Sequence, residues 1–367
     1  TKTIRELRRP ISVPTTLVLN ERPTQSPRPT HLHHRGEFLQ PKMLVEPDIP
    51  NLLKTASTPK IMSRLDLARW LVSSNNPLTA RVTVNRHWAA FFGRGIVKSL
   101  GDFGIQGDVP SHPELLDWLA IDLQRNQWSI KHLHKLIVTS RTYQQSSAMS
   151  ALMRERDPEN MLLARGPRVR LDAEQIRDSL LHATGLLSSK MYGPSVYPPQ
   201  PAGATETAYG GGGWSTSQGE DRHRRSIYTF MKRSAPFAMS STFDGPSGET
   251  CVARRETTNT PLQSLTLLND EAFVEMARHA GETVANSSDD DTSKITNLHK
   301  RFVSRSPSSD ELSQMQRFVN LQRNRIRTRE IDPESIAGKT PLKADETAVW
   351  TLLVRALMNL DETVTKN

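Results

Sequence analysis

Apolar residues recur at helical spacing along most of this chain, and polar capping patterns mark where several of the helices begin. Asp172 precedes Gln175 by three residues, and Ser308 precedes Glu311 by the same distance. Such pairs satisfy the free N–H groups at the start of a helix. Strict apolar–polar alternation, which marks a half-buried strand, is scarce. The sequence therefore predicts a mainly α protein: a loop-rich multi-helix domain with a few short β-strands.

The apolar stripes give the approximate positions of the helices. Helices are predicted near residues 65–72, 79–92, 113–124, 129–137, 173–187, 261–268, 270 onward, 295–302, 309–319 and 349–357. One segment has a different pattern, because residues 226–232 combine Ile227, Tyr228 and Phe230, which favour strands. We predict a short strand there, with a short helix as the alternative.

Proline content and chain length suggest how the chain is divided. The 367 residues exceed the roughly 250–300 at which a single core stops growing, and nine prolines fall in the first 60 residues. We predict an extended Pro-rich arm or linker at 1–60, a helical core with a Gly-rich loop and an Arg-rich central segment at 61–286, and C-terminal helices packing on that core at 287–367. Because the chain begins at Thr1 within a polar run, we expect a piece of a longer polypeptide.

The Gly-rich loop lies between residues 193 and 220, where a Pro-rich stretch is followed by four consecutive glycines after Tyr209. Glycine permits many backbone states, and little in this stretch can enter a core. We expect residues 209–218 to be mobile, as a surface loop; a lid over a substrate is the alternative.

Charge and cysteine content exclude several classes of function. A net charge of +9 favours anionic partners, of which acidic polysaccharide and nucleic acid are two. The basic residues are interspersed with acids and form no clustered face with exposed aromatics, so nucleic acid is the less favoured partner. The single cysteine excludes an internal disulfide, a four-thiolate zinc site and a haem attachment motif. No apolar stretch approaches the roughly 20 residues of a membrane span.

The Arg-rich central segment, residues 221–259, has the highest density of side chains that could bind a ligand or act in catalysis. Arginine presents forked donors that suit carboxylate, sulfate or phosphate. The candidate ligand-binding residues are Arg224, Arg225, Arg254, Arg255 and Asn259, and the candidates for acid–base catalysis are Asp244 and Glu256. The same residues also suit an internal network of ion pairs, and the sequence leaves both interpretations open.

Other polar side chains are given ordinary roles. His31, His33 and His34 lack further ligands at metal-site spacing, so surface positions are expected and no metal site is predicted. Cys251 is interpreted as a free buried thiol. The histidines on predicted helices are expected to be hydrogen-bonded residues without a catalytic role: His87, His112, His132 and His134.

A set of motifs, in a fixed order, resembles a known family. The motifs are RLDLARWL (64–71), NPLTARVTVNRHW (76–88), FFGRG (91–95), DFGIQG (102–107), HPELLDWLA (112–120), TSRTYQQSS (139–147), RLDAEQIRDSLL (170–181), GPSVYPPQP (193–201), TNTPLQSLTLLND (258–270) and NLDE (359–362). From about Arg35 to its end, the chain resembles the planctomycete-specific C-terminal domain of unknown function, type 1553. That family has no assigned activity.

The resemblance implies a context for the chain. Members commonly follow a cytochrome c-like domain and a second uncharacterised domain in exported proteins, which implies an extracytoplasmic location, periplasmic or at the cell surface. The chain has no CxxCH motif, so any haem belongs to an upstream domain and no cofactor is expected here.

The functional expectation combines the resemblance with the Arg-rich central segment. We expect a binding or assembly module that supports the parent protein, with upstream domains and an acidic or sulfated polysaccharide as partners. The alternative is an enzyme that acts on such a polysaccharide, with Asp244 or Glu256 in acid–base work and arginines holding the anionic group. Nucleic-acid binding is the third possibility and the least favoured.

Overall fold

The prediction of a mainly α protein is confirmed. The computed structural model describes residues 15–23, 25–26, 28–55, 60, 63–204, 213–339 and 341–366, and it is 47% helical with four short strands in these residues. The helices are α1 (Arg64–Leu71), α2 (Thr79–Phe92), α3 (Pro113–Arg125), α4 (Ile130–Val138), α5 (Ala151–Arg156), α6 (Ala173–Thr184), α7 (Ala238–Thr242), α8 (Pro261–Asn269), α9 (Glu271–Asn286), α10 (Asp291–Val303), α11 (Ser309–Arg327), α12 (Pro333–Ala337), α13 (Ala344–Met358) and α14 (Asp361–Val364). The strands are β1 (Thr30–His34), β2 (Glu37–Val45), β3 (Val169–Arg170) and β4 (Thr365–Lys366).

The chain divides into two compact units. One comprises Thr1–Val84 and Glu114–Ser129, and the other comprises Asn85–Pro113 and Ile130–Asn367. The boundary between them falls inside α2. The division into arm, core and C-terminal helices stays a prediction. Among the described residues, no helix has both the length and the apolar character that crossing a bilayer requires.

The first unit contains an antiparallel hairpin within the Pro-rich arm. β1 and β2 are joined by Arg35 and Gly36, whose φ angles are 48° and 81°. A two-residue hairpin turn with positive φ at both positions matches the natural twist of the strands, and glycine adopts such a φ without strain. Ile49 and Trp70 form a small buried cluster elsewhere in this unit.

The second unit holds the main hydrophobic core, which is built by α6, α9, α10, α11 and α13. The apolar stripe of α13 is buried along its length, and Trp350 at its centre is 0% exposed. α9 crosses α13 at Gly281, where a side chain would collide with the backbone of α13. Burial of large apolar side chains supplies about 1.5–3 kcal/mol each, so this crossing holds much of the unit together.

The capping patterns set the helix starts as predicted. Reciprocal hydrogen bonds between the cap residue and the third helical residue occur at Asp172 and Gln175, and at Ser308 and Glu311. Thr260 forms the same arrangement before α8, where Pro261 occupies the first helical position. These contacts are local, which explains why the sequence alone could place them.

The strand prediction for residues 226–232 is wrong. The segment begins with a 3-10 helix, Ser226–Tyr228, and only Thr229 makes an isolated bridge, to Val196. The backbone N–H of Ser226 donates to the Asp178 carboxylate, and the Ser226 side chain accepts from Arg177 on the same helix, α6. The segment thus bonds to side chains of α6 rather than to a neighbouring strand, because tertiary partners override a weak strand preference.

β3 and β4 connect two distant parts of the second unit. Val169 pairs with Lys366 and Arg170 with Thr365, in antiparallel register. The N–H of Leu171 continues this pairing by donating to the carbonyl of Val364. The short sheet fixes the residues just before α6, and it therefore fixes the position of Arg170.

Candidate functional site

The side chain of Arg224 is buried and hydrogen-bonded to backbone carbonyls of the protein. Its side chain is 1% exposed and donates to the carbonyl oxygens of Lys190, Tyr192 and Pro194. The guanidinium also lies 3.8 Å from the ring centre of Tyr228. Buried polar groups are generally hydrogen-bonded, and here the hydrogen bonds of a buried cation join residues 190–194 to residues 224–228.

Arg225 lies in a different place from the other sequence-predicted arginines. Its side chain is 52% exposed, and its Nε lies 3.7 Å from a carboxylate oxygen of Asp178. It lines a cavity together with His182 and Arg301. Arg225 is therefore an exposed arginine of the Arg-rich central segment that can serve as a control for the others.

Asp244 closes the base of the loop formed by residues 245–257. It adopts a left-handed conformation with φ 60°, and its carboxylate accepts from both the N–H and the hydroxyl of Thr258, each at 2.8 Å. Asp tolerates such a φ better than most residues. Glu256 and Asn259 are exposed near the end of this loop.

Arg254 and Arg255 line a cavity of about 500 Å³ in the second unit, which we call the first cavity. Three separate stretches of chain form its walls: residues 86–100, which include the end of α2, then β3 with the start of α6, and residues 246–257. The basic lining residues are Arg86, Arg94, Lys98, Arg170, Arg254 and Arg255. Asp172 is the one acidic residue of the lining, so the first cavity has an excess of positive charge.

Some of these cations are neutralised by carboxylates. Arg255 makes two hydrogen bonds to Glu174, at 2.6 and 3.1 Å, and these bonds raise the pKa of Arg255 above its usual value. Arg94 and Lys98 share the carboxylate of Glu159, at 2.6 and 3.4 Å. These pairs hold two walls of the first cavity in place, and they leave less charge free for a ligand.

Three arginines of the first cavity lack a carboxylate partner. Arg86 and Arg254 are exposed and make no side-chain hydrogen bond or ion pair with any residue that the structure describes. Arg170 donates to the side-chain oxygen of Gln263 at 3.1 Å, but no described carboxylate lies within ion-pair distance. Burial lowers the pKa of Arg170, and the nearby charge of Asp244 partly opposes this. The three guanidinium groups are available to an anion.

A tight turn fixes the wall that carries Arg94. α2 ends at Phe92, and the next residue, Gly93, has a φ of 74°. At Gly95, a Cβ would come within 2.8 Å of the side-chain nitrogen of Asn85 and would also collide with the Val97 carbonyl. Asn85 is itself buried and bonds to both the N–H and the carbonyl of Val97. Only glycine fits between these groups, so the FFGRG stretch has one defined shape.

Sequence reasoning identified two of the six basic residues that line the first cavity and missed four. Arg254 and Arg255 were candidates, whereas Arg86, Arg94, Lys98 and Arg170 were not. A signal was available for three of the four, since Arg86, Arg94 and Arg170 each lie inside a stretch that carries the family resemblance. Nothing local indicates that these stretches meet.

A second charged cluster joins the Arg-rich central segment to α9. Glu275 accepts three hydrogen bonds from Arg222, at 2.7, 2.9 and 3.0 Å, and one contact of 3.0 Å joins it to the His223 ring. Burial raises the pKa of the Glu275 carboxyl, but the bonds from His223 and Arg222 outweigh this effect and lower the pKa to about 2. The ionised form is therefore stabilised in the folded protein.

We expect Glu275→Gln to destabilise the protein most at neutral pH and progressively less as the pH falls towards 2. The folded pKa of about 2 is below the ordinary value of 4.5, so the stabilisation is complete above pH 4.5 and is lost as pH falls towards 2. The loss should be up to about 3 kcal/mol at pH 7. Urea unfolding at pH 7 and pH 3 measures it, with Glu282→Gln, an exposed site on the same helix, as the control. An equal loss at both pH values would contradict the assignment.

Three other expectations from the sequence concern Cys251, metal binding and the Gly-rich loop. Cys251 is exposed, which corrects the interpretation of a buried thiol; the loop from 246 to 257 packs too little around it to cover it. No group of three or more His, Cys, Asp or Glu in the described residues could hold a metal ion. Of the loop expected to be mobile, residues 209–212 lie outside the described residues.

Comparison with known proteins places the chain in a family. Neither the curated proteins nor the solved structures contain a significant match to it. The family model described as "PSD1: Protein of unknown function (DUF1553)" matches residues 63–319, which include all the residues that line the first cavity. The chain thus belongs to the DUF1553 family of proteins of unknown function.

Proposed function

We propose that this chain is a binding module that recognises anionic groups of an acidic or sulfated polysaccharide in the first cavity. One observation carries the proposal: Arg86, Arg170 and Arg254 line a single cavity and have no carboxylate partner among the described residues. Unmatched guanidinium groups in one concave site attract anions and bind sulfate or carboxylate through paired donors. The volume of about 500 Å³ is within the range of small-ligand sites.

The proposal also concerns the longer protein to which the chain belongs. On the family resemblance, we propose that the parent is a multidomain planctomycete protein outside the cytoplasm, with a cytochrome c-like domain upstream that carries any haem. The upstream domains are then the partners that this module supports. The module itself needs no cofactor to bind an anion through arginine side chains.

The lining of the first cavity favours binding over the alternatives. An enzyme would need Asp244 or Glu256 at the ligand, but neither lines the first cavity, and both oxygens of Asp244 accept hydrogen bonds from Thr258. Proteins bind single-stranded nucleic acid through a basic groove combined with aromatic side chains on which the bases stack, and no aromatic residue lines the first cavity. Recognition by charge alone suits a sulfated or acidic glycan.

The test compares arginines inside and outside the first cavity. We expect Arg86→Gln and Arg254→Gln each to weaken binding of a heparin tetrasaccharide about tenfold, because each removes a charge-assisted hydrogen bond. The melting temperature should stay nearly unchanged, since both side chains are exposed. Titration calorimetry at low salt measures the affinity. A fluorophore on Cys251, the single thiol, gives a second reading beside the first cavity.

Arg225→Gln is the matched control, because Arg225 is exposed in the same segment but lines another cavity. It should bind the tetrasaccharide as the unmodified chain does. A desulfated tetrasaccharide should bind weakly to all variants. If the unmodified chain fails to bind the sulfated sugar, or if Arg254→Gln behaves as Arg225→Gln does, the proposal is wrong.

A further inference from the structure

Gly93 and Arg94 also line a second cavity in the same unit, with a volume of about 880 Å³. The two cavities therefore meet along one shared wall, which we call the Gly93–Arg94 ridge. The charged residues that line the second cavity are again mainly basic, and besides Arg94 they include Arg154, Arg165 and Arg168.

The arginines of the second cavity differ in how far they are neutralised. Arg168 pairs with Asp361, and Arg305 is held by Glu311 and Glu362. Arg165 is buried and donates only to the backbone carbonyls of residues 157 and 158, so no acid balances it. Arg154 is exposed and has no side-chain partner in the described part of the chain. Positive charge thus remains unmatched beyond the ridge.

One carboxylate, that of Glu159, partly neutralises the positive charge at the ridge. Glu159 is the shared partner of Arg94 and Lys98, at 2.6 and 3.4 Å, and its side chain is half exposed. A single negative charge faces two cations here. One net positive charge therefore remains at the wall that the two cavities share, and unmatched arginines line both cavities: Arg254 the first and Arg154 the second.

We propose that the two cavities are successive subsites for one linear sulfated or acidic oligosaccharide, which crosses the Gly93–Arg94 ridge. This rests on the proposed function, and it adds that the ligand is a chain rather than an isolated anion. Anionic groups along such a chain would contact Arg254 and Arg86 in the first cavity and Arg154 in the second. Linking the two subsites through one ligand raises the affinity above that of either alone.

Ligand length gives the decisive test. Heparin disaccharide and octasaccharide are titrated into the full chain and into Arg154→Gln. We expect the octasaccharide to bind Arg154→Gln about tenfold more weakly than the unmodified chain, with little change for the disaccharide. Arg254→Gln should weaken both sugars, because the first cavity holds most of the unmatched arginines.

A second variant should strengthen binding. Glu159→Gln removes the charge that neutralises Arg94 and Lys98, so the affinity for the octasaccharide should rise by about fivefold to tenfold. Glu155→Gln is the control: Glu155 is an exposed acid on α5, four residues away, and lies outside the lining of both cavities. It should leave the affinity close to that of the unmodified chain.

The outcomes separate the two proposals. If Arg154→Gln and Glu159→Gln bind the octasaccharide as the unmodified chain does, while Arg254→Gln weakens the disaccharide, the two-subsite proposal is overturned and the single site stands. If Arg254→Gln weakens neither sugar, the proposed function itself is wrong. If a single-stranded DNA of equal charge binds as tightly and shows the same dependence on the variants, the glycan is the wrong ligand class.

Discussion

Replacing Arg224 with alanine is expected to lower the free energy of unfolding by about 3–5 kcal/mol. Three backbone carbonyls, those of Lys190, Tyr192 and Pro194, lose their donor, and each lost partner costs about 1 kcal/mol or more. The truncated side chain also leaves a cavity under Tyr228, which adds to the loss. The melting temperature should fall by roughly 10 °C.

Arg254→Ala provides the comparison, since it removes an exposed arginine from the same segment. Its change in stability should be within about 0.5 kcal/mol. Urea unfolding and thermal melts of both variants separate structural arginines from arginines that are free to bind a ligand. Equal stability of the two variants would show that Arg224 does not hold the chain as the hydrogen bonds indicate.

Replacing Gly281 with valine is expected to have the other large effect, at least about 3 kcal/mol, at the upper end for overpacked cores. A Cβ at this position would lie 2.7 Å from the backbone nitrogen of Thr351 and 3.0 Å from the carbonyl of Thr347. These are backbone atoms of α13 and cannot rotate away. The two helices would have to separate, and the core around Trp350 would lose its packing.

The control introduces the same side chain one residue later. Glu282→Val adds a β-branched residue at an exposed position of α9 and should cost about 0.5 kcal/mol at most from helix propensity. Glycine is the weaker helix former, so a loss in Gly281→Val must come from the contact with α13. Calorimetry measures the melting temperatures of the two variants. Similar values would mean that α9 and α13 do not cross at Gly281.

Ten of the fourteen helices in the described residues could be predicted because their signals are local, and the four that the sequence analysis did not predict are all of six residues or fewer. The caps at Asp172 and Ser308 join residues three apart, and the stripe of α13 shows in the order of its own residues. The strand predicted at residues 226–232 failed for the opposite reason. Its backbone bonds to Asp178, 48 residues earlier, and local preference carries no information about such a partner.

At the candidate site, too, local sequence signals were informative and long-range packing was not predictable. The density of arginine in residues 221–259 indicated an anion site, but it could not distinguish Arg224 from Arg254. Burial decides between them, because one side chain bonds to backbone carbonyls and the other is exposed. Burial depends on what packs above a residue, and that is set by distant parts of the chain.

The helical class, the capped helix starts and the family can be read from the residues in order, because capping, periodicity and motif order are local patterns. Which arginines share a cavity depends on the fold. Arg86, Arg170 and Arg254 line one cavity, whose walls are shaped by the turn at Gly93 after α2 and by the pairing of β3 with β4. These contacts join residues tens to hundreds of positions apart, and their energies arise from packing and hydrogen bonding that no local pattern records.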